Sequence, residues 1–218
     1  MDPWTEVEAM TFDIKHKPLK RFFDIVFSAL VLIIGAPIFL IIAITIRLQS
    51  KGKAFYTHKR IGRAGKPFHC YKFRTMYMDA DARHRALLES DTSLAEEWER
   101  TRKLKNDPRV TSLGAFLRKT SLDELPQFWN VLKGDLSVVG PRPVVYEEIV
   151  KYFGSKAAKI LSFRPGITCI WQVSGRSDID YSKRIELDEK YVDNYSILLD
   201  LLLIVKTVPS MIFSKGAY

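Results

Sequence analysis

Between Ile25 and Ile46 the chain carries no charged side chain (IVFSALVLIIGAPIFLIIAITI), a run of 22 residues. A membrane-spanning helix needs roughly 20 apolar residues, so the run predicts a membrane helix over 22–48 after a basic segment, 1–21. It is longer than the h-region of a signal peptide, and no small-residue cleavage site follows. Two features complicate a plain span. Gly35-Ala36-Pro37 lies in the middle of the run. Pro37 offers no N–H and its ring crowds the preceding turn, so a kink or break is expected there. Cations flank both ends: Lys15, Lys17, Lys20 and Arg21 before, Arg47, Lys51, Lys53, Lys59 and Arg60 after. The positive-inside rule then puts both ends in the cytosol. A helix broken at its centre with both ends on one side is a re-entrant hairpin, each arm of about 12 residues reaching ~18 Å. A single kinked span is the competing reading.

The remainder, 49–218, alternates shorter signals. Residues 54–78 read as strand, turn and strand, with Gly62 to Pro67 as the turn. On the second strand Phe68 and Cys70 point one way, and Lys72 and Arg74 share a face by the period of two. Residues 79–106 form a charged helical insertion, with Ser93 and Glu96 spaced as a capping box and Trp98 on its buried face. A short helix fits 110–119, a longer one 144–160, and another 180–194. Residues 163–178 read as loop and short strand, carrying Arg164 and Arg176. Residues 195–213 are apolar but interrupted by Asp200, Lys206 and Pro209, which fits a helix lying in a membrane interface. The predicted class is α/β, mainly helical, attached to a membrane.

At 218 residues and 47% hydrophobic, the chain can bury one core besides the membrane segment. A formal charge of +9 predicts an anionic partner: nucleic acid, anionic lipid or a phosphate-bearing substrate. Nucleic acid rests on charge alone, and the membrane run argues against it. Cys70 and Cys169 lie far apart and outside any C-x-x-C pair, which excludes zinc and redox motifs and fits a reducing compartment.

The densest chemistry lies in 118–143, RKTSLDELPQFWNVLKGDLSVVGPRP. Ser121 and Glu124 match a capping box, with Asp123 complementing the helix dipole. Alternatively a helix starts at Pro126 and ends at Gly134. Asp123 and Glu124 stand among Arg118, Lys119, Arg142 and Arg164, the last two beside prolines that fix their backbone. Arginine suits bidentate phosphate contacts, and paired carboxylates suit a Mg²⁺-bound diphosphate. The residues by themselves lead to phosphate chemistry at a membrane surface.

The stretches KRFFDIVFSALVLIIGAPIFLI, YKFRTM, RKTSLDELPQFWNVLKGDLSVVGPRP and RPGITCIWQVSGR, in this order, resemble the bacterial monotopic phosphoglycosyl transferases. The resemblance runs from about residue 18 to the C-terminus. RKTSLDELPQ, SGRSDIDYSKR and SKGAY resemble most the exopolysaccharide galactosyl-phosphate branch. The resemblance implies a re-entrant membrane helix with Pro37 at its bend, interfacial helices and a small cytosolic catalytic part. It implies transfer of a sugar 1-phosphate from a UDP-sugar to undecaprenyl phosphate with release of UMP, the priming step of polysaccharide or glycoconjugate synthesis. Asp123 would be the nucleophile and Glu124 the Mg²⁺ ligand, with a phospho-aspartyl intermediate and a ping-pong course. Arg118 and Arg142 match cations near the substrate phosphates, and Lys72 and Arg164 match motif positions. Arg74 and Arg176 join them as candidate substrate-binding cations. The expected location is the cytoplasmic face of a bacterial inner membrane, with the lipid bilayer as a partner and room for a homodimer. The sequence departs from the family at Ala36, often serine there, and at Cys169, usually glycine. Longer relatives carry an N-terminal multi-span domain, so the chain is expected to be the short form or a catalytic part. Two rivals stand beside this reading: direct transfer in a ternary complex, and a non-catalytic basic membrane-surface protein.

Overall fold

The computed structural model describes residues 10–14, 17–90, 92–101, 104, 107–174 and 180–212. Helix α1 (Pro18–Gln49) leads into an antiparallel hairpin of β1 (Phe55–Ile61) and β2 (Pro67–Phe73). There follow α2 (Ala80–Ser90), α3 (Thr92–Thr101), α4 (Ser112–Lys119), α5 (Gln127–Lys133) and β3 (Ser137–Val139). An irregular helical stretch covers 146–161, ahead of β4 (Gly166–Thr168), α6 (Ile170–Ser174), α7 (Tyr181–Asp193) and α8 (Ile197–Ile212). β3 and β4 pair in parallel as a second two-stranded sheet. The mainly helical expectation holds, with the sheet content confined to these two small pairs.

α1 starts earlier than expected, with Pro18 in its first turn, where a missing N–H is harmless. The helical run is not interrupted at Pro37. The proline still deprives the Ile33 carbonyl of its helical donor. Lys20, Asp24 and Ser28 are buried near one end of α1, and Ile42 and Ile46 near the other. Between them Leu30, Ile33, Ile34, Ile38, Leu40 and Ile41 are 52–74% exposed. A core helix would bury such residues; an uncovered apolar band of this kind marks a surface meant for lipid or a partner.

Three apolar clusters hold the body together. Ile42, Ile46, Ala54, Phe73 and Leu117 join α1 to β2 and α4. Phe68, Cys70, Val131, Val138, Tyr191 and Leu203 join β2, α5, β3, α7 and α8, with Phe27 of α1 packed against them. Ile61, Val144, Ile149, Phe153, Ile160 and Ile185 join β1 to the irregular stretch and α7. Both ends of α1 therefore pack on the same body. α8 carries its own uncovered row, Leu198, Leu201, Leu202, Val205 and Val208. Its buried Asp200 is ion-paired with Lys20 of α1 at 2.5 Å and accepts a hydrogen bond from Tyr191.

Local expectations differ in three places. Helix α3 begins at Thr92, so Ser93 lies inside the helix rather than before it. The helix expected over 144–160 is split into short segments, with a π-type turn at Ile149–Phe153 and Gly154 at φ +49 after it. β3 was not anticipated, because three residues are too few for an alternation to register.

Candidate active site

Lys72 reaches the site from β2. Phe68 and Cys70 fill the core on the same face of the strand, and Lys72 continues that row beyond the cluster. The free edge of β2 is closed by one buried side chain. Asn130 of α5 accepts from the Tyr71 N–H (2.9 Å) and donates to the His69 carbonyl (2.7 Å) and to Asp135 (3.0 Å). An amide thus replaces a neighbouring strand and fixes β2 against α5.

Arg118 comes from the last turn of α4. Thr111 caps that helix by accepting from the Gly114 N–H at 2.9 Å. A Cβ on Gly114 would stand 2.0 Å from the Thr75 carbonyl oxygen, so glycine allows α4 to approach the strand exit. Arg118 Nε then donates to Thr75 Oγ1 at 2.9 Å.

Between α4 and α5 the chain turns at Ser121, whose φ of +56 is left-handed. Its side chain makes no capping bond, which overturns the capping-box reading. A single 3-10 turn, Leu122–Glu124, follows, and α5 runs from after Pro126 to Gly134, close to the alternative reading. The tight turn points Asp123 inward, 8% exposed, with Glu124 beside it.

Lys72 Nζ stands 2.6 Å from Glu124 Oε1 and 3.8 Å from Asp123 Oδ2. Burial pushes the Asp123 carboxyl up to about 6; Lys72 and Arg118 oppose this and the Glu124 charge adds to it. Burial alone would weaken the Lys72 ammonium, but the two carboxylates outweigh it and hold its pKa above the ordinary value. The dyad is therefore unequal. Glu124 is gripped by the ammonium, whereas Asp123 feels its cations at longer range.

Arg142 lies in the Gly140-Pro141-Arg142-Pro143 turn. That turn is tied to β4 by Gly140 N–H to the Thr168 carbonyl (3.0 Å) and Gly166 N–H to the Pro141 carbonyl (2.7 Å). The Arg142 guanidinium covers the Trp171 ring at 5.1 Å, and the Arg142 backbone N–H makes a long bond, 3.4 Å, to Asp188. Asp188 is buried, with its second oxygen lacking a partner, and burial pushes its pKa up to about 7. Burial also raises the Cys169 thiol.

Of the residues singled out from sequence, Lys72, Arg118, Asp123 and Glu124 come together, while Arg142 packs on Trp171 beside Asp188. Arg74 stands elsewhere. β2 ends at Phe73, and the buried Arg74 guanidinium donates to the carbonyls of Ser50 (2.7 Å) and Lys51 (2.9 Å) and to Ser50 Oγ (2.8 Å), closing the end of α1. Arg164 Nε donates to the Gly134 carbonyl at 2.8 Å, at the opposite end of α5 from the dyad. Pro37 lies in the uncovered part of α1, and Arg176 falls outside the described residues.

Two participants were not anticipated. Arg60 of β1 is 3.8 Å from Glu148, and burial, then Arg142, lowers its pKa. Its signal was the pairing of His58 and Arg60 with Cys70 and Phe68 in the hairpin register. Asp188 was legible as an acidic residue spaced three from both Ile185 and Tyr191 on the buried side of a helix.

Among the described residues no group of three His, Cys, Asp or Glu side chains is placed to hold a metal alone. Mg²⁺ usually takes one or two protein carboxylates and fills its shell with phosphate oxygens and water. The Asp123–Glu124 pair fits that pattern once a phosphate is present.

The family model described as bacterial sugar transferase matches residues 15–214. The chain is 46% identical over 199 residues to the exopolysaccharide production protein ExoY of Rhizobium meliloti, covering 91% of this chain and 88% of that one. It is 46% identical to the undecaprenyl-phosphate galactose phosphotransferase of Salmonella typhimurium, over 92% of this chain and 42% of that one. It is 41% identical to the UDP-glucose:undecaprenyl-phosphate glucose-1-phosphate transferase of Klebsiella pneumoniae, over 91% and 41%. With the match spanning nearly the whole chain and including every residue of the Lys72–Asp123–Glu124 centre, the protein belongs to the bacterial sugar transferase family.

Proposed function

We propose that the chain transfers a sugar 1-phosphate from a UDP-sugar to undecaprenyl phosphate, releasing UMP, to prime polysaccharide or glycoconjugate synthesis. The names of the Salmonella and Klebsiella relatives share undecaprenyl phosphate and differ in the sugar, and the Klebsiella name adds a UDP-sugar. The observation that carries it is the unequal dyad: a buried Asp123 beside a Glu124 clamped by Lys72.

In the reading we favour, Asp123 attacks the β-phosphorus. An Asp123 oxygen–phosphorus bond forms as the bridging bond to the α-phosphate breaks, and UMP leaves. The sugar phosphate is then held as an acyl phosphate. The phosphate oxygen of undecaprenyl phosphate attacks that phosphorus, the acyl–phosphate bond breaks, and Asp123 is returned as carboxylate. Lys72 and Arg118 balance the charge that develops on the transferring group, and Arg142 is at hand for the diphosphate. Glu124 would hold Mg²⁺, which when bound screens the phosphate charge facing the attacking carboxylate.

Attachment of both ends of α1 to one body supports a helix that goes into the bilayer and returns on the same side. A helix crossing the membrane could not keep both ends on one folded unit. The cations at both flanks support a position of that unit on the cytoplasmic face of the inner membrane. The uncovered faces of α1 and α8 then meet lipid.

The test uses protein in nanodiscs with Mg²⁺ and a panel of UDP-sugars, without polyprenyl phosphate. A stoichiometric burst of UMP and a sugar-phosphate mass adduct are expected, both absent in Asp123→Asn. Release of UMP only after undecaprenyl phosphate is added, with no adduct, would replace the covalent course by direct transfer in a ternary complex. No release under either condition across the panel would overturn the assignment.

A further inference from the structure

A second cationic site lies at the far end of α5, about 10 Å along the helix from the dyad at 1.5 Å per residue. The cleft there is lined by Lys17, Lys20, Arg21, Asp24, Arg63 and Arg164, among others. Its walls are recessed, since Lys20, Asp24, Ser137 and Ser162 are all less than 10% exposed.

The partners of these cations leave their charge in place. Arg21 donates to the carbonyls of Val131 (2.6 Å) and Leu132 (2.8 Å), and Arg164 to that of Gly134 (2.8 Å). Carbonyl oxygens orient a guanidinium without neutralising it. The Arg63 side chain has neither a hydrogen bond nor an ion pair among the described residues. Lys20 is balanced by Asp200. Asp24 is the acidic wall residue, and its Oδ1 already accepts from the Ser137 hydroxyl and the Val138 N–H, each at 3.0 Å. Three guanidinium groups thus face one carboxylate. Their proximity is felt by Arg164, whose pKa is lowered by burial and then by Arg63 and Arg21.

The position narrows the ligand. Lys17 to Arg21 open α1, immediately before the uncharged run from Ile25. If that run is in lipid, the cleft sits at headgroup depth. Clustered guanidinium groups with donors to spare match phosphate oxygens in geometry and charge. We propose that the cleft of Arg21, Arg63 and Arg164 binds the phosphate group of a membrane lipid, apart from the phosphates that react at the dyad. The inference needs α1 in the bilayer but not the transfer reaction.

The test is lipid retention. Protein is reconstituted in phosphatidylcholine nanodiscs doped with phosphatidic acid or with decaprenyl phosphate, and the lipid retained per protein is read by native mass spectrometry. One doped lipid per chain is expected at the cleft, beyond any decaprenyl phosphate held at the dyad, and that share falls about tenfold in Arg63→Glu. Lys53→Glu makes the same charge change on an exposed side chain just past the other end of α1 and is expected to fall less than about twofold. Preference for phosphatidic acid would identify a bilayer phospholipid as the source, and preference for decaprenyl phosphate a polyprenyl lipid; both support the site. Equal loss in the two variants, no retention above phosphatidylcholine, or displacement by equimolar inorganic phosphate would overturn it. The readout does not depend on turnover, so it stands or falls separately from the proposed activity.

Discussion

The ammonium of Lys72 lies 2.6 Å from Glu124 and 3.8 Å from Asp123, across the junction between β2 and the turn before α5. One cation serves two adjacent carboxylates unequally. Together with the burial of Asp123, this gives each a different character. Lys72→Met removes the nearest positive charge from both. Turnover is expected to fall about 100-fold or more, by loss of charge stabilisation in a partly buried site. The Asp123 carboxyl should also become harder to ionise, moving the acid limb of the pH–rate profile to higher pH. An unchanged limb would separate Lys72 from Asp123.

The raised pKa of Asp123, about 6, sets its own test. As a nucleophile the group acts ionised, so the UMP burst should weaken as pH falls through about 6, approaching tenfold per unit below it. Burst amplitudes and rates measured between about pH 5 and 8 read this directly. A rate flat to about pH 4.5 would assign the attack to another group.

Asn130→Leu keeps the volume and deletes the bonds to Tyr71, His69 and Asp135. A buried strand edge left unpaired costs about 2–4 kcal/mol. For a chain of this size that lowers the thermal midpoint by roughly 4–16 °C. Activity should fall further than stability at assay temperature, because Lys72 is on the strand released.

Asp188→Asn should stabilise the protein at neutral and alkaline pH. The folded pKa of Asp188, about 7, is raised above the unfolded value, so the stability that protonation contributes is complete below about pH 4 and lost as pH rises through about 7. Asparagine does not titrate and still accepts from the Arg142 N–H. The variant should match the parent near pH 4 and exceed it by on the order of 2–4 kcal/mol above pH 7, read by thermal unfolding across pH.

Much of this centre was legible in the sequence because it is local. Asp123 and Glu124 are adjacent, Arg118 is five residues before Asp123, and α1 announces itself by an unbroken apolar run. What could not be read is set by contacts distant in sequence. Arg74 looked like a companion of Lys72 by the strand period, but β2 ends one residue earlier, and the carbonyls at the end of α1 claim its guanidinium. Arg164 follows the same logic at Gly134. The capping-box pattern at Ser121 failed because Ser121 adopts a left-handed turn that a local motif does not reveal. Asp188 and Arg60 matter only once α7 and the hairpin fold against the Arg142 turn.

α1 is gripped at one end by Lys20 with Asp200 and by Arg21 on the α5 carbonyls, and at the other by Arg74. On the proposed reading, so firm a mount fixes the height of Asp123 relative to the lipid headgroups. Donor arrives from three dimensions, but the acceptor arrives by diffusing within a sheet. Its effective concentration is then its mole fraction among the lipids, and diluting it with inert phospholipid at constant bulk amount should slow turnover, whereas diluting the whole vesicle suspension should not.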